Sequence, residues 1–311
     1  MYIDPAARSF LAELENNSGP APETIGEQRA AFSALWRSMA PPAPDVHAIQ
    51  NHAIAVESGR IDCLVYRPRA AAAALPAVLF FHGGGGIMLS PEDFDATSRV
   101  LALAADCVVI VPRYRQAPEH PFPKPLEDCL AAYGWVRARC EELGIDPERI
   151  AVAGDSAGGY LAAAVCQEAK RHGQKGPLAQ ILLYPMLDMA GAAPSRYDRA
   201  YFVTEAALKH TVDLHFGDAV LDPRASPLRE PDLSGLPPTL LITTDLDPLV
   251  DEGRAYSHRL RAAGVAVSYF CYEGQIHGFF SFGGRMEEGN RCVAHVASYL
   301  RHAFDRFAPD R

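Results

Sequence analysis

The sequence predicts an α/β fold, with a mostly parallel sheet of about eight strands and helices on both faces. Strand-like and helical segments alternate from residue 77 onward. Several of the strands are near-continuous apolar runs, as expected when helices cover both faces of a parallel sheet. Two glycine-rich strings, His82-Gly83-Gly84-Gly85 and Gly154-Asp155-Ser156-Ala157-Gly158-Gly159, each follow such a run directly.

The elements follow in order. An apolar trio, Phe10, Leu11 and Leu14, suggests a first short helix. Ile25, Phe32, Leu35, Trp36 and Met39 then recur at three- and four-residue steps, which gives a second helix one apolar face. Pro22 and Glu23 suit its first turn, and Pro41-Pro42-Ala43-Pro44 ends the segment as a stiff connector. Residues 52–57 and 60–67 read as a hairpin around Ser58-Gly59. Strands are expected at 77–81, 107–112, 150–153, 180–184, 239–244 and 267–272. Between and after them, helices are expected near 94–105, 125–143, after Ser156, 252–263 and 286–307. One stretch, 188–234, breaks the alternation. It carries Tyr197, Tyr201, Phe202 and Phe216 and one helix near 204–216. An insertion of this length is either a wall or lid over a site or an excursion that only buries its aromatics.

Composition narrows the function classes. The chain has 311 residues, 49% of them hydrophobic and 22% charged, as in an ordinary globular protein. A net charge of −9 without any basic run argues against a nucleic-acid or anionic-membrane partner. The N-terminus lacks the basic start and apolar centre of a signal peptide. The longest apolar run, 70–81, contains Pro76 and is too short to span a bilayer. Seven cysteines without Cys-x-x-Cys spacing read as reduced core residues of a cytoplasmic protein. No His-Glu-x-x-His string suggests a metal. A homodimer is compatible with the sequence.

The second glycine string fits Gly-x-Ser-x-Gly, a sharp strand-to-helix turn that lifts a nucleophile above a sheet. The pattern alone is weak, because such a turn can equally be a packing feature whose serine caps a helix. The first string could be a flexible turn or a phosphate loop, but no Lys-Ser or Lys-Thr closes it and no Gly-x-Gly-x-x-Gly is present. Acyl transfer explains both strings together: one supplies a serine, the other spare amide donors for an oxyanion.

A serine hydroxyl needs a base, and the base an orienting carboxylate. His277, in a short glycine-flanked loop after a late strand, suits the base. For the acid the residues leave a choice. Asp251 and Glu252 stand where a helix dipole explains them; Asp245 and Asp247 share a face, and Asp247 could instead be a helix cap before Pro248.

The strings His82-Gly-Gly-Gly85, Tyr114-Arg-x-Ala-Pro-Glu-His-Pro-Phe-Pro123, Gly154-Asp-Ser-Ala-Gly158, Asp247-Pro-Leu-x-Asp-Glu-Gly253 and His277-Gly-Phe279 resemble those of the hormone-sensitive-lipase-like (family IV) carboxylesterases. The resemblance runs in order from about residue 60 to the end. It implies the α/β-hydrolase fold with a helical cap: a cap segment at 1–45, a catalytic domain at 46–311, and 188–234 as a second cap segment. It also implies Ser156, Asp247 and His277 as the triad and the amides of Gly83, Gly84 and Ala157 as oxyanion donors. Gly85, Asp155, Tyr160 and Phe202 are expected about the substrate pocket.

The function so implied is cleavage of short-to-medium-chain carboxylic esters, with no metal or other cofactor and a small ester as the partner. An amidase or peptidase of the same fold, or a non-catalytic ligand-binding receptor on this scaffold, are the alternatives. Three positions depart from the family pattern. Gly86 stands where an aromatic is usual, which would open the pocket floor or loosen its loop. Arg113 and Tyr160 replace the common aspartate and asparagine.

Overall fold

The computed structural model describes residues 2–16, 22–191 and 201–306. Its centre is an eight-stranded sheet in the order β1-β2-β4-β3-β5-β6-β7-β8. The strands are β1 (Ala48–Val56), β2 (Gly59–Arg67), β3 (Leu75–Phe81), β4 (Val108–Pro112), β5 (Ile145–Asp155), β6 (Gln180–Leu183), β7 (Thr239–Leu246) and β8 (Val267–Ile276). β2 runs antiparallel to β1 and β4, and every other pairing is parallel. β3, β4 and β6 are wholly buried, as is β5 from Ile150 onward, which is why these stretches read as apolar runs.

Alternate side chains of each strand feed opposite layers. Leu79, Phe81 and Val152 join a cluster with α4 (Lys124–Ala138), α5 (Ala157–Arg171) and α7 (Val250–Ala262). Val78, Phe80 and Ala151 join the opposite one, with α3 (Asp95–Ala105) and α8 (Glu287–Asp305). That second cluster also takes in Ala7 and Phe10 of α1 (Pro5–Asn16) and Trp36 and Met39 of α2 (Ile25–Met39), packed with Phe279 and Phe282. The N-terminal helices therefore share the core rather than form one of their own.

Local chemistry moves several boundaries. Helix α2 is capped by Thr24, not started by Pro22 and Glu23. The Thr24 hydroxyl accepts from the Glu27 amide at 3.2 Å while the Glu27 carboxylate accepts from the Thr24 amide at 2.9 Å, a reciprocal capping box. Strand β5 begins at Ile145, not residue 150, because Ile145 already pairs with Leu75 before an irregularity shifts the register. Helix α4 stops at Ala138, and the chain turns through Gly144 at φ +58°. In the 188–234 stretch, α6 (Glu205–His215) starts at a Thr204 cap whose hydroxyl accepts from the Ala207 amide at 3.1 Å. Tyr197 and the last residue of the expected final helix, Phe307, lie outside the described residues.

All seven cysteines are free thiols. Among the described residues no helix is long and apolar enough to cross a membrane.

Candidate active site

Ser156 sits on the turn between β5 and α5 with φ +55° and ψ −119°, a conformation that costs a non-glycine residue about 1–3 kcal/mol. The turn can be this tight only because its neighbours lack side chains. A Cβ on Gly158 would fall 1.9 Å from the Phe81 carbonyl oxygen, and one on Gly154 would fall 2.1 Å from that of Gly158. The Ser156 amide is fixed to the Leu183 carbonyl at 2.9 Å, so the strain is held from the neighbouring strand.

The adjacent strands β7 and β8 deliver the other two side chains. Asp247 follows the end of β7 directly, past an irregularity between Thr244 and Leu246. His277 follows β8, where Gly278 at φ +89° reverses the chain. His277 Nδ1 lies 2.7 Å from Asp247 Oδ2, and Nε2 lies 2.8 Å from Ser156 Oγ. A carboxylate only accepts, so Nδ1 carries the proton and Nε2 is left to accept from the serine hydroxyl. The other oxygen of Asp247 accepts from the Leu249 amide at 2.8 Å. Both side chains are buried. Burial works against the imidazolium, but the charge and hydrogen bond of Asp247, with Asp155 and Glu252 nearby, outweigh it and raise the His277 pKa above 6.5.

The remaining acids near Asp247 are engaged elsewhere. Asp245 accepts from the Gly274 amide at 2.7 Å, Asp251 pairs with Arg254, and Glu252 accepts from the amides of Leu187 and Asp188.

One expected oxyanion donor is corrected. The Gly83 amide donates to Asp155 Oδ1 at 2.7 Å inside the protein, so it has no hydrogen left for a substrate. The amides of Gly84, Gly85 and Ala157 have no acceptor among the described residues. That of Ala157 opens α5, whose first turn has no intrahelical partners. The loop is closed by the Gly84 carbonyl, which accepts from Ile87 and Met88 at 3.0 and 2.9 Å. Full burial pushes the Asp155 carboxyl up to about 7, against the lowering influence of His277 and the Gly83 amide. His82 is buried against Tyr114, whose hydroxyl donates to the His82 carbonyl at 2.7 Å, and burial drops its pKa to about 4.

Ser156 and His277 open into a cavity of about 280 Å³. Gly85 and Phe202 line it; Asp155 and Tyr160 do not. Asp155 lies beneath the loop, and Tyr160 is buried edge-on to Phe216 with ring centroids 5.3 Å apart. Sequence reasoning missed Phe32 and Trp36 from α2 and Leu208 and Thr211 from α6, which wall the same cavity. The apolar periodicity of α2 marks a buried face without saying what it faces, and for α6 the sequence marks only a helix. It missed Tyr184 too, whose ring lies 4.8 Å from that of His277. Arg113 pairs with Glu92 away from the cavity. The floor beside Gly86 is not open, because the His215 ring fills it. Among the described residues no cluster could hold a metal ion.

Comparison with known proteins agrees with this architecture. Residues 78–281 match the family model described as alpha/beta hydrolase fold. The arylesterase of Saccharolobus solfataricus is 35% identical over 98% of this chain and 100% of its own. The carboxylic ester hydrolase LipN of Mycobacterium tuberculosis is 36% identical over 89% of this chain and 77% of its own. Among solved structures, an ester hydrolase from the metagenome of Lake Arreo, complexed with a derivative of bipyridine phosphonate, superposes with a TM-score of 0.94. It is 36% identical, and the match covers 97% of this chain and 99% of that one. The chain belongs to the alpha/beta hydrolase fold family, among its hormone-sensitive-lipase-like carboxylesterases.

Proposed function

We propose that this protein hydrolyses short-to-medium-chain carboxylic esters through an acyl-enzyme on Ser156. The observation that carries the reading is the unbroken hydrogen-bond chain from Ser156 Oγ through His277 to Asp247. His277 Nε2 takes the hydroxyl proton as Ser156 Oγ bonds to the ester carbonyl carbon. Charge moves onto the carbonyl oxygen, and the free amides of Gly84, Gly85 and Ala157 receive it; one such donor is worth about 3–4 kcal/mol. Asp247 holds the tautomer and stabilises the imidazolium. The intermediate collapses, the alcohol leaves with the proton from His277, and water repeats the sequence on the acyl-enzyme. The family's named relatives are esterases, which supports an ester over an amide leaving group.

In this reading residues 1–45 and 188–234 act as a cap over the catalytic domain. Phe202 packs on Phe10 at 5.5 Å and stacks on Phe32 at 6.4 Å, so the two segments meet above the cavity. A modest, mainly apolar chamber suits a short acyl chain.

The test is turnover of p-nitrophenyl esters from acetate to palmitate, beside the matched butyrate anilide and labelling by a fluorophosphonate. Ester turnover that is fastest at the short end, with Ser156 labelled, is the expected result. A faster anilide would make it an amidase. Absence of both labelling and turnover would favour a receptor.

A further inference from the structure

The resemblance leads one to expect an aromatic ring at position 86, yet its place is filled from elsewhere in the chain. A Cβ on Gly86 would fall 2.3 Å from Cε1 and 2.5 Å from Nδ1 of His215. His215 ends α6, the helix that walls the cavity, and it is fully buried. Its ring stacks on Phe216 with centroids 4.0 Å apart and meets Tyr160 edge-on at 6.2 Å. Its own carbonyl accepts from the Phe122 amide at 2.7 Å, which pins the end of the helix to the segment leading into α4.

The ring does more than fill space. His215 Nδ1 lies 2.9 Å from the Gly85 carbonyl oxygen. A carbonyl only accepts, so Nδ1 carries the proton and donates. Nε2 is buried with no partner among the described residues, a state that costs stability. A phenylalanine would fill the space without that cost, so what the imidazole adds is the N–H. Burial lowers its pKa to about 4, so the ring is neutral near pH 7 and the tautomer is fixed by the Gly85 bond. Thr211, one turn earlier in α6, closes on the same residue: a Cβ on Gly85 would sit 3.0 Å from its Cγ2.

We propose that His215 is a positioning residue for ester hydrolysis, using its Nδ1–H to hold the Gly85 carbonyl and so keep the outer amides of the oxyanion loop presented to the substrate. The inference rests on the reading of Gly84, Gly85 and Ala157 as oxyanion donors. Gly85 and Gly86 both stand at φ +70°, with no side chain of their own to anchor the loop. The Gly86 carbonyl accepts from the Ala117 amide at 2.9 Å, and the cap supplies the anchor at the Gly85 carbonyl. The loop that stabilises charge and the helix that walls the substrate are thereby tied to each other, and an unseated α6 would leave the hole misshapen.

The test separates the bond from the packing. His215→Phe keeps a ring and removes the donor, while His215→Asn keeps a donor and removes the ring. With p-nitrophenyl acetate, His215→Phe should lose about tenfold in kcat with KM changed less than about twofold, the mark of an interaction felt in the transition state. His215→Asn should recover kcat to within about threefold of the native enzyme, even if it melts at a lower temperature. A native kcat in His215→Phe, or equal losses in both variants, would overturn the proposal and leave His215 as packing. If either variant fails to fold, His215→Gln and His215→Leu give a second route, the first keeping a donor and the second lacking one. His215→Gln should retain more kcat than His215→Leu; equal losses would refute the tether. Native turnover with an inactive Ser156→Ala is the control. If that control fails, the hydrolase reading has failed rather than this one.

Discussion

The Gly83 amide donates to Asp155 Oδ1 at 2.7 Å, so the residue beside Ser156 grips the loop that carries the proposed oxyanion donors. Three further placements follow from that single bond. The Gly83 amide is withdrawn from the proposed oxyanion donors, Asp155 is held beneath the loop, and a carboxyl is left fully buried with its Oδ2 unpartnered.

Burial raises the Asp155 pKa from 3.8 to about 7. The folded protein therefore holds this proton more tightly than the unfolded chain does. The stabilising contribution is complete below the unfolded value and is lost as pH rises through the folded one. Asp155→Asn keeps an acceptor for Gly83 and mimics the protonated form. Between about pH 5 and about pH 8 it should lose less stability than the native protein. Urea midpoints of both proteins at the two pH values check this; parallel losses would mean that another group carries the dependence.

His277 can act as a base only when neutral, and its pKa is raised above 6.5, chiefly by Asp247 working against burial. The kcat/KM of the native enzyme should therefore fall as pH drops through a value above 6.5. Asp247→Asn removes the charge and the fixed tautomer together. It should cost on the order of 10³–10⁴ in kcat near neutral pH and move the apparent pKa of the residual activity downward. A pH–rate profile of both proteins decides it, and a flat native profile down to pH 4 would rule out His277 as the base.

Trp36 is almost fully buried and walls the cavity, packed edge-on to Phe282 with centroids 4.7 Å apart. Trp36→Ala should destabilise the protein by about 3–5 kcal/mol. In a variant that still folds, the enlarged chamber should lower KM for octanoate relative to acetate esters. Kinetics across the p-nitrophenyl series, with thermal melting, measures both effects. An unchanged chain-length order would remove α2 from the acyl-binding wall.

The middle of the sheet was readable because its inner strands are buried on both faces, so apolar runs such as Val78–Phe81 stand out without knowledge of their neighbours. The positions of Ser156 and His277 were readable for a related reason: glycines needed for close backbone contact leave a trace beside them. What could not be read was allocation. Four carboxylates crowd residues 245–252, and only folding shows that Asp245 is taken by Gly274 and Glu252 by the Leu187–Asp188 turn. The oxyanion loop offers several amides, and nothing along the chain tells that Asp155, 72 positions away, claims the first. Residues that reach the cavity from α2 carry ordinary helical periodicity, which fixes a buried face and not its destination, and those from α6 lie in a helix whose facing the sequence does not mark.

The three members of the hydrogen-bonded relay hang from unequal supports. Ser156 leaves β5, which has strands on both sides, whereas Asp247 and His277 leave the last two strands, and β8 has no neighbour beyond it. Local opening costs least where an element has few neighbours. The imidazole therefore hangs from the strand with the least lateral support, and loss of turnover on warming should precede melting of the middle of the sheet.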